Sequence, residues 1–314
     1  TGTALSVSQL MLNPTIAGQV ACLGGETRHS LIVKLNSQTQ GTPLFLFHPS
    51  FGSVHCYKAI GLALREQRPV LGVISRALVE EGSDVPNWQS MVDDYTAQLL
   101  DAVPEGPYRL AGWSLGGNLA MEVAYALEQA GRVVEVVGWI DASPPYWLKD
   151  YWDTAVMTDD SEAPVNQRRV ELLQVMFAQS SQLIQDAWLQ SQAVADDEVQ
   201  QWQVFSTWAE NALGETYLEV KASLLEGDEA QISWELDRAL GQSLKDADFK
   251  PIQAPINCWW AAASRAGQHR QLIEASMAQV MGRPCIEQSV LIDSTHDRII
   301  DNAAFVQSFA DAMK

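Results

Sequence analysis

The five residues Gly112-Trp113-Ser114-Leu115-Gly116 place a serine between two glycines in the pattern G-x-S-x-G. An apolar, strand-like run precedes this motif and a helix-like run follows it, which is the context of a turn that exposes a nucleophilic serine. Such a turn strains the serine backbone, and side chains at Gly112 and Gly116 would collide with the neighbouring strand and helix. We therefore predict that Ser114 is a nucleophile, in preference to an idle serine in a glycine-rich turn.

A serine hydroxyl is a weak nucleophile and needs a base, which an acid holds in place. With a nucleophile on a strand–turn–helix, the chain order is serine, then Asp or Glu, then His. Asp141 directly follows the strand-like run 133–140, at the carboxyl end where parallel sheets place ligands. His296 follows the strand-like run 286–292 near the C-terminus. We predict that His296 is the general base and that Asp141 orients it.

The remaining histidines and two further carboxylates fit this order less well. His29 and His55 precede the motif, and His269 lies in a polar, helix-like segment where we expect it to be solvated. Asp293 and Asp297 are rivals to Asp141, although a polar loop that caps the last helix is the favoured interpretation of both.

The oxyanion that forms in acyl transfer requires preorganised hydrogen-bond donors. One predicted donor is the backbone N–H of Leu115, the residue after the nucleophile. The second is expected from the loop after the first core strand, residues 48–53, where the amide of Ser50 or of Phe51 is the candidate. His48 in the same loop is interpreted as a structural residue that shapes the loop, not as a second base.

Strand-like and helix-like runs alternate from Pro43 onward, which predicts an α/β fold with a mostly parallel sheet covered by helices. The strand-like runs are 44–47, 69–74, 108–113, 133–140, 256–260 and 286–292, and the helix-like runs are 57–66, 88–103, 115–130, 169–190, 198–213 and 300–313. Residues 151–250 interrupt the alternation with helical patterns alone.

The interrupting segment 151–250 contains 19 acidic and 6 basic residues. Ordinary solvated helix faces are the favoured interpretation of this charge. The alternative is an electrostatic field that repels anionic substrates or selects cationic ones. Its large side chains are interpreted mainly as helix-packing core, with a minority lining an acyl channel. These side chains are Trp188, Trp202, Trp208 and Met176.

The whole chain of 314 residues has a formal net charge of −19. This charge argues against a nucleic-acid backbone or an anionic membrane as partner, because both bind Lys/Arg patches. We see no apolar run of about 18 residues and no signal peptide in the first 20 residues. The 4 scattered cysteines suit reduced thiols, so we expect a cytoplasmic protein without a metal or other bound cofactor.

Three stretches around the predicted site resemble the type I thioesterase domains that close the last module of nonribosomal peptide and polyketide synthetases. The similarity is strong over 43–145 and resumes weakly at 255–314, where Asp293 to His296 matches the loop of the catalytic histidine. The three stretches are Phe47-His48-Pro49 with Gly52, Pro107 to Gly117, and Asp141-Ala142-Ser143-Pro144-Pro145.

The resemblance implies an α/β-hydrolase domain over residues 43–314, with an inserted helical lid at about 146–250 that excludes water and favours cyclisation. By the same resemblance, Ser114 attacks the thioester that joins an acyl chain to the phosphopantetheine arm of a carrier domain. Water then releases an acid, or an internal hydroxyl or amine releases a ring. A stand-alone or proofreading serine esterase or thioesterase is the alternative, and a catalytically silent docking module is a second one.

The N-terminal stretch Leu5 to Leu23 resembles the last helices of a peptidyl or acyl carrier domain. We therefore expect residues 1–24 to be a carrier remnant and residues 25–42 to be a linker. The partners implied are the upstream carrier domain and its tethered acyl chain, and no cofactor is expected beyond the carrier's pantetheine arm.

Overall fold

In the computed structural model the described residues are 30–80, 87–145, 165–177, 180–214 and 249–314, with the single positions 16, 19, 20, 217, 218, 221 and 244. The predicted carrier remnant at 1–24 falls almost wholly outside these residues. The start of the predicted linker and large parts of the predicted lid also lie outside them, so these three predictions stay predictions.

Seven strands form one sheet in the order β1-β3-β2-β4-β5-β6-β7. β1 pairs antiparallel with β3, and every other neighbouring pair in this sheet is parallel. The strands are β1 (Ile32–Lys34), β2 (Leu44–Phe47), β3 (Val70–Val73), β4 (Tyr108–Trp113), β5 (Val134–Ile140), β6 (Ile256–Ala261) and β7 (Ile286–Ile292).

Helices connect the parallel strands, as the alternating sequence pattern predicts. The described helices are α1 (Lys58–Ala63), α2 (Trp88–Ala102), α3 (Leu115–Gln129), α4 (Val165–Met176), α5 (Ser181–Val194), α6 (Glu198–Leu213), α7 (Arg265–Gln268), α8 (Arg270–Met281) and α9 (Ala303–Ala312). Short 3₁₀ turns lie at His55–Tyr57, Arg76–Leu78 and Ile299–Asp301.

Strands covered on both faces are apolar throughout instead of alternating with polar residues. Every residue of β2 and β6 is buried, in agreement with the apolar sequence of β2 and with that of β6 apart from Asn257. β7 lies at the edge of the sheet, and its half-buried residues alternate with exposed ones. The core therefore lies on both sides of the central strands, and the carboxyl ends of the parallel strands share one edge of the sheet.

The predicted linker, residues 25–42, contains a strand that the sequence interpretation did not anticipate. β1 lies inside this range and forms the edge of the sheet, where Val33 pairs with Gly72 of β3. Leu31 and Val33 are buried in the same core as the central strands. A strand of three residues is too short to show the alternation of apolar and polar residues that identifies a strand. The apolar run at this place was therefore interpreted only as part of a linker.

The chain divides into two compact units, Thr1–Thr154 with Ile232–Lys314 and Ala155–Gln231. In the second unit, the predicted helix 169–190 is two helices, α4 and α5. The Trp188 and Trp202 rings lie 5.8 and 5.4 Å from Phe205 and are buried, which agrees with their interpretation as packing core. The side chain of Met176 lies outside the described residues. No helix in the described ranges is long and apolar enough to cross a membrane.

Candidate active site

Ser114 occupies a strained turn between β4 and α3. Its backbone has φ 57° and ψ −129°, a region that residues other than glycine rarely adopt. The backbone N–H of Ser114 donates to the carbonyl of Ile140 at 2.9 Å, which ties the turn to the end of β5. The predicted nucleophile thus lies at the carboxyl edge of the sheet, on a backbone that its neighbours hold in place.

The two glycines of the motif are required by space. A Cβ on Gly112 would lie 2.1 Å from the carbonyl carbon of Gly116, and a Cβ on Gly116 would lie 2.4 Å from the carbonyl oxygen of Phe47. Both distances are far below a van der Waals contact, and the obstacles are backbone atoms that cannot rotate away. The sequence prediction of a steric requirement at both glycines is confirmed.

Asp141 follows β5 and is buried, with a positive φ of 45°. Its Oδ1 accepts hydrogen bonds from the backbone N–H of Ala261 and from the Ser264 hydroxyl, each at 2.8 Å. Its Oδ2 lies 2.7 Å from Nδ1 of His296. Two fixed donors therefore hold one carboxylate oxygen and leave the other for the histidine.

His296 bridges the predicted acid and the predicted nucleophile. Its Nδ1 lies 2.7 Å from Oδ2 of Asp141, and its Nε2 lies 3.1 Å from Oγ of Ser114. Because an ionised carboxylate only accepts hydrogen bonds, Nδ1 carries the proton in this pair. In the neutral ring Nε2 is then an acceptor, directed at the Ser114 hydroxyl.

The protonation of His296 is controlled by burial and by two acidic neighbours. Burial disfavours the charged imidazolium, whereas the hydrogen bond and charge of Asp141 favour it, and the charge of Asp297 adds to them. The acidic neighbours outweigh burial, so the pKa of His296 is raised above 6.5. The imidazole is consequently a stronger base than a free histidine side chain.

The two rivals of Asp141 have other surroundings. Asp293 accepts a hydrogen bond from the Asn302 side chain through its main-chain carbonyl. Asp297 acts on His296 through its charge, while Asp141 makes the direct hydrogen bond. His269 was expected to be solvated, but it is half-buried between α7 and α8.

The loop 48–53 lies beside the turn that carries the serine, since a Cβ on Gly116 would be only 2.9 Å from the carbonyl oxygen of His48. His48 is buried, its Nδ1 lies 2.6 Å from the Pro49 carbonyl, and its Nε2 lies 2.6 Å from the Tyr95 hydroxyl. Burial lowers the pKa of His48 to about 4, against a smaller opposing effect of the Pro49 carbonyl. Neutral His48 therefore donates to Pro49 and accepts from Tyr95, which agrees with a structural role.

A sequence profile described as the thioesterase domain matches residues 42–290, most of the chain. The chain belongs to the thioesterase domain family. Its mostly parallel sheet with flanking helices is an α/β-hydrolase fold, as predicted. The domain is 33% identical over 150 residues to a dimodular nonribosomal peptide synthase of Bacillus subtilis (strain 168). This alignment covers 47% of this chain and 6% of the synthase. The chain thus spans only a small part of that relative.

Two solved structures share the fold of this thioesterase domain. A four-domain nonribosomal peptide synthetase, holo-AB3403 bound to AMP and glycine, aligns with a TM-score of 0.65 and 22% identity, over 99% of this chain and 22% of its own. The Vlm2 thioesterase domain, with genetically encoded 2,3-diaminopropionic acid and bound with a dodecadepsipeptide, aligns with a TM-score of 0.57 and 16% identity. That alignment covers 90% of this chain and 96% of the Vlm2 domain.

Three side chains that lie at the site of this thioesterase domain were not predicted from the sequence to be site residues. Tyr57 donates its hydroxyl to the carbonyl of Phe47 at 2.6 Å and accepts from the N–H of Trp113 at 2.9 Å, so it joins the ends of β2 and β4. Ser264 holds Asp141, and Trp113 contacts His296. Ser264 caps α7, for which a polar residue before a helix is a recognisable signal. Tyr57 and Trp113 have no such signal.

Among the described residues, no group of three or more His, Cys, Asp or Glu side chains is placed to hold a metal ion.

The three side chains predicted for catalysis form a single row of hydrogen bonds. His296 lies in the middle, within hydrogen-bond distance of Ser114 on one side and of Asp141 on the other. The site can therefore move a proton from a hydroxyl to an imidazole that a buried carboxylate holds.

Proposed function

We propose that this thioesterase domain takes an acyl chain from the phosphopantetheine thioester of a carrier domain onto Ser114 and then releases it. The observation that supports this most directly is the row of hydrogen bonds from Ser114 through His296 to Asp141, at 3.1 and 2.7 Å, in a member of the thioesterase domain family. One of its relatives is a dimodular nonribosomal peptide synthase, which also supports the proposal.

In the first half of the reaction, His296 Nε2 takes the proton of the Ser114 hydroxyl while Oγ bonds to the thioester carbonyl carbon. The carbonyl π electrons move to the oxygen and form a tetrahedral oxyanion. This oxyanion collapses, the carbon–sulfur bond breaks, and the imidazolium returns its proton to the leaving thiolate. The products are an ester on Ser114 and the free thiol of the carrier arm.

Asp141 serves this proton transfer without receiving the proton. Its Oδ2 fixes the tautomer with hydrogen on Nδ1, and its negative charge stabilises the imidazolium formed during the reaction. We assign the oxyanion to the backbone N–H of Leu115, at the start of α3, and to the backbone N–H of Ser50, with Phe51 as the alternative.

In the second half, His296 activates the nucleophile that attacks the ester. Water gives a free acid, while an internal hydroxyl or amine gives a macrolactone or macrolactam, and the two products of one substrate differ by one molecule of water. The helical segment at about 146–250 stays our prediction for the part that selects between them, by excluding water. The proposed partner is the upstream acyl or peptidyl carrier domain, and the proposed compartment is the cytoplasm, where the free thiols of Cys56, Cys258 and Cys285 remain reduced.

Intact-protein mass spectrometry tests this proposal. The full chain is incubated with acyl-pantetheine thioesters, and the mass of one acyl group is expected on the wild type and on Ser90→Ala, a control at an exposed serine of α2. Ser114→Ala should carry none. A serine-directed fluorophosphonate should label the same proteins. If the wild type gains neither mass, the proposal fails.

A second comparison separates carrier-directed release from general ester hydrolysis. Turnover of the pantetheine thioester and of a p-nitrophenyl ester with the same acyl group is measured under the same conditions. We expect a clear preference for the thioester, because the leaving group is the part of the substrate that a carrier domain supplies. Equal or better turnover of the simple ester supports the stand-alone esterase instead.

A further inference from the structure

Trp113, the second residue of the motif, contacts the catalytic histidine in two ways. The centres of the indole and imidazole rings lie 5.2 Å apart, with 36° between the ring planes. The indole N–H donates to the main-chain carbonyl of His296 at 3.2 Å. The side chain therefore touches the ring of His296 and also binds its backbone, although the two residues are far apart in sequence.

The backbone of Trp113 is itself held at the centre of the sheet. Its N–H donates to the Tyr57 hydroxyl at 2.9 Å, and it pairs with Ile140 of β5. Tyr57 in turn donates to the carbonyl of Phe47 at 2.6 Å. Trp113 is thus tied to both strands that flank β4, to β5 directly and to β2 through Tyr57. Such a rigid support is what precise placement of a catalytic group requires.

The loop that carries His296 is also anchored through main-chain carbonyls on the N-terminal side of this residue. The carbonyl of Ser294 accepts from Ala263 at 3.0 Å, and the carbonyl of Asp293 accepts from the Asn302 side chain at 3.3 Å. The ring nitrogens face Asp141 and Ser114. The carbonyl of Thr295, in the peptide bond to His296, accepts from the N–H groups of Arg298 and Ile299 at 3.3 and 3.1 Å and anchors the backbone on one side of His296. Trp113 binds the carbonyl on the other side and also contacts the face of the ring.

We propose that Trp113 is a positioning residue that holds the His296 imidazole in the one orientation that reaches Asp141 and Ser114 together. This inference rests on the proposed function for its catalytic consequence, although the positioning itself can be observed without turnover. Loss of the indole removes the support of the His296 main-chain carbonyl and of the face of its ring. The hydrogen bond to Asp141 then orients the ring without support on its face, so the ring tilts more widely and Nε2 lies within reach of the serine hydroxyl for less of the time.

Two variants of Trp113 and one matched control test the inference. Trp113→Phe keeps an aromatic ring beside the imidazole and removes the N–H donor, while Trp113→Leu removes both. Trp259→Phe is the control, because its indole N–H also makes one hydrogen bond, to Ser308 at 3.0 Å, on the side of the core near α9. It should lower thermal stability without changing the site.

The first measurement is the downfield proton resonance of the His296 Nδ1–H that binds Asp141, followed by NMR below the melting temperature of each variant. We expect a sharp resonance in the wild type and in Trp259→Phe. In Trp113→Phe it should broaden through faster exchange with water, and in Trp113→Leu it should disappear. A resonance that is unchanged in both Trp113 variants overturns the inference, and Trp113→Phe alone decides if Trp113→Leu does not fold.

The second measurement is kinetic. Because His296 serves both halves of the reaction, acylation and deacylation should slow together, by about threefold to tenfold in Trp113→Phe and on the order of 100-fold in Trp113→Leu. KM should stay within about twofold, since the ring does not bind the substrate in this role. A rise in KM with unchanged kcat assigns Trp113 to substrate binding and overturns the inference. If the wild type is inactive but the His296 resonance changes among the variants as expected, the proposed function is refuted and the positioning role of Trp113 is not.

Discussion

The hydroxyl of Ser264 donates a hydrogen bond to Oδ1 of Asp141 across 2.8 Å. The same Oδ1 accepts from the backbone N–H of Ala261, so two donors hold the oxygen that does not face the histidine. The Ser264 oxygen also accepts from the N–H of Gly267 at 2.9 Å and thereby caps α7. One hydroxyl thus joins the start of α7 to the buried carboxylate of Asp141.

Replacing Ser264 by alanine should lower kcat by about threefold to tenfold with little change in KM, because one of the two donors that fix the carboxylate is lost. Ser264→Thr keeps the hydroxyl and should restore most of the rate. Steady-state kinetics with one acyl thioester makes the comparison.

Loss of a helix cap alone also destabilises a protein, by about 1 kcal/mol. Asn87→Ala is the control for this effect, since Asn87 caps α2 by accepting from the N–H of Ser90 at 2.9 Å and does not contact Asp141. It should lower the melting temperature as Ser264→Ala does while retaining kcat. Equal loss of kcat in both variants contradicts a role of Ser264 at the site.

The pH dependence of the rate should follow the charge of His296. Only the neutral imidazole accepts a proton, and its pKa is raised above 6.5, so kcat/KM should increase with pH through a midpoint above 6.5. Asp141→Asn removes the charge and the carboxylate acceptor. Its midpoint should fall to lower pH, and its rate should drop on the order of 10³- to 10⁴-fold, because the imidazole loses its required tautomer.

Asp297→Asn is the matched variant for the pH profile, because Asp297 acts on His296 through charge. Its midpoint should shift to lower pH by less than that of Asp141→Asn, and its rate at high pH should stay within about twofold of the wild type. A large loss of rate at high pH in Asp297→Asn would instead assign the orienting role to the rival carboxylate.

Gly116→Ala should destabilise the turn that carries Ser114, because the added Cβ meets the carbonyl oxygen of Phe47 at 2.4 Å. Backbone must move to relieve this clash, at a cost of about 1–3 kcal/mol or more in the free energy of unfolding. Urea unfolding measures the cost. Gly131→Ala is the control: it has a positive φ of 74° and open space around the new Cβ. It should cost only about 1 kcal/mol through backbone strain. Similar costs for the two glycines contradict the steric explanation.

The elements that carry the site could be predicted closely from the sequence. β4, β7 and α6 begin and end where their apolar patterns do, and Ser114, Asp141 and His296 follow strands at positions fixed by the chain order of the fold. Local periodicity and turn chemistry carry this information. Because the parallel strands end at one edge, placing each residue after its strand also places the three together.

The contacts that support the site could not be predicted in the same way. The pairs Trp113 with His296 and Ser264 with Asp141 join residues more than a hundred positions apart. Each depends on rotamers and loop paths that no local pattern encodes. β1 was missed for a different reason, because its three residues gain their strand structure from pairing with β3 and not from a period of their own.

His48 should make the folded state sensitive to acid. Burial lowers its pKa to about 4 in the folded protein, while an unfolded histidine has its ordinary value of 6.5. Between these two values the unfolded chain binds the extra proton, so stability should fall as pH is lowered from 6.5 to 4, by up to about 3 kcal/mol. The test is the free energy of unfolding, measured in urea at several pH values between 4 and 6.5. In His48→Asn this free energy should depend less on pH, because the contribution of His48 is absent.

His296→Gln is the control for His48, because the pKa of His296 is shifted in the opposite direction. The contribution of His296 to the stability of the folded state is fully present below pH 6.5 and is lost as the pH rises through the folded-state pKa of His296. The difference between the wild type and His296→Gln should therefore be flat from pH 4 to 6.5 and decline above it. If the free energy of unfolding falls equally with decreasing pH in the wild type and in His48→Asn, the acid sensitivity comes from carboxylates and not from His48.

β5 ends at Ile140 and β6 begins at Ile256, yet the two strands are neighbours in the sheet. The entropy of closing a long loop grows only with the logarithm of its length, and each doubling costs about 0.6 kcal/mol. Insertions, deletions or exchanges between these strands are therefore cheap for the sheet, provided that both ends return to the same register. The length of this segment can therefore change while Ser114, Asp141 and His296 keep their positions.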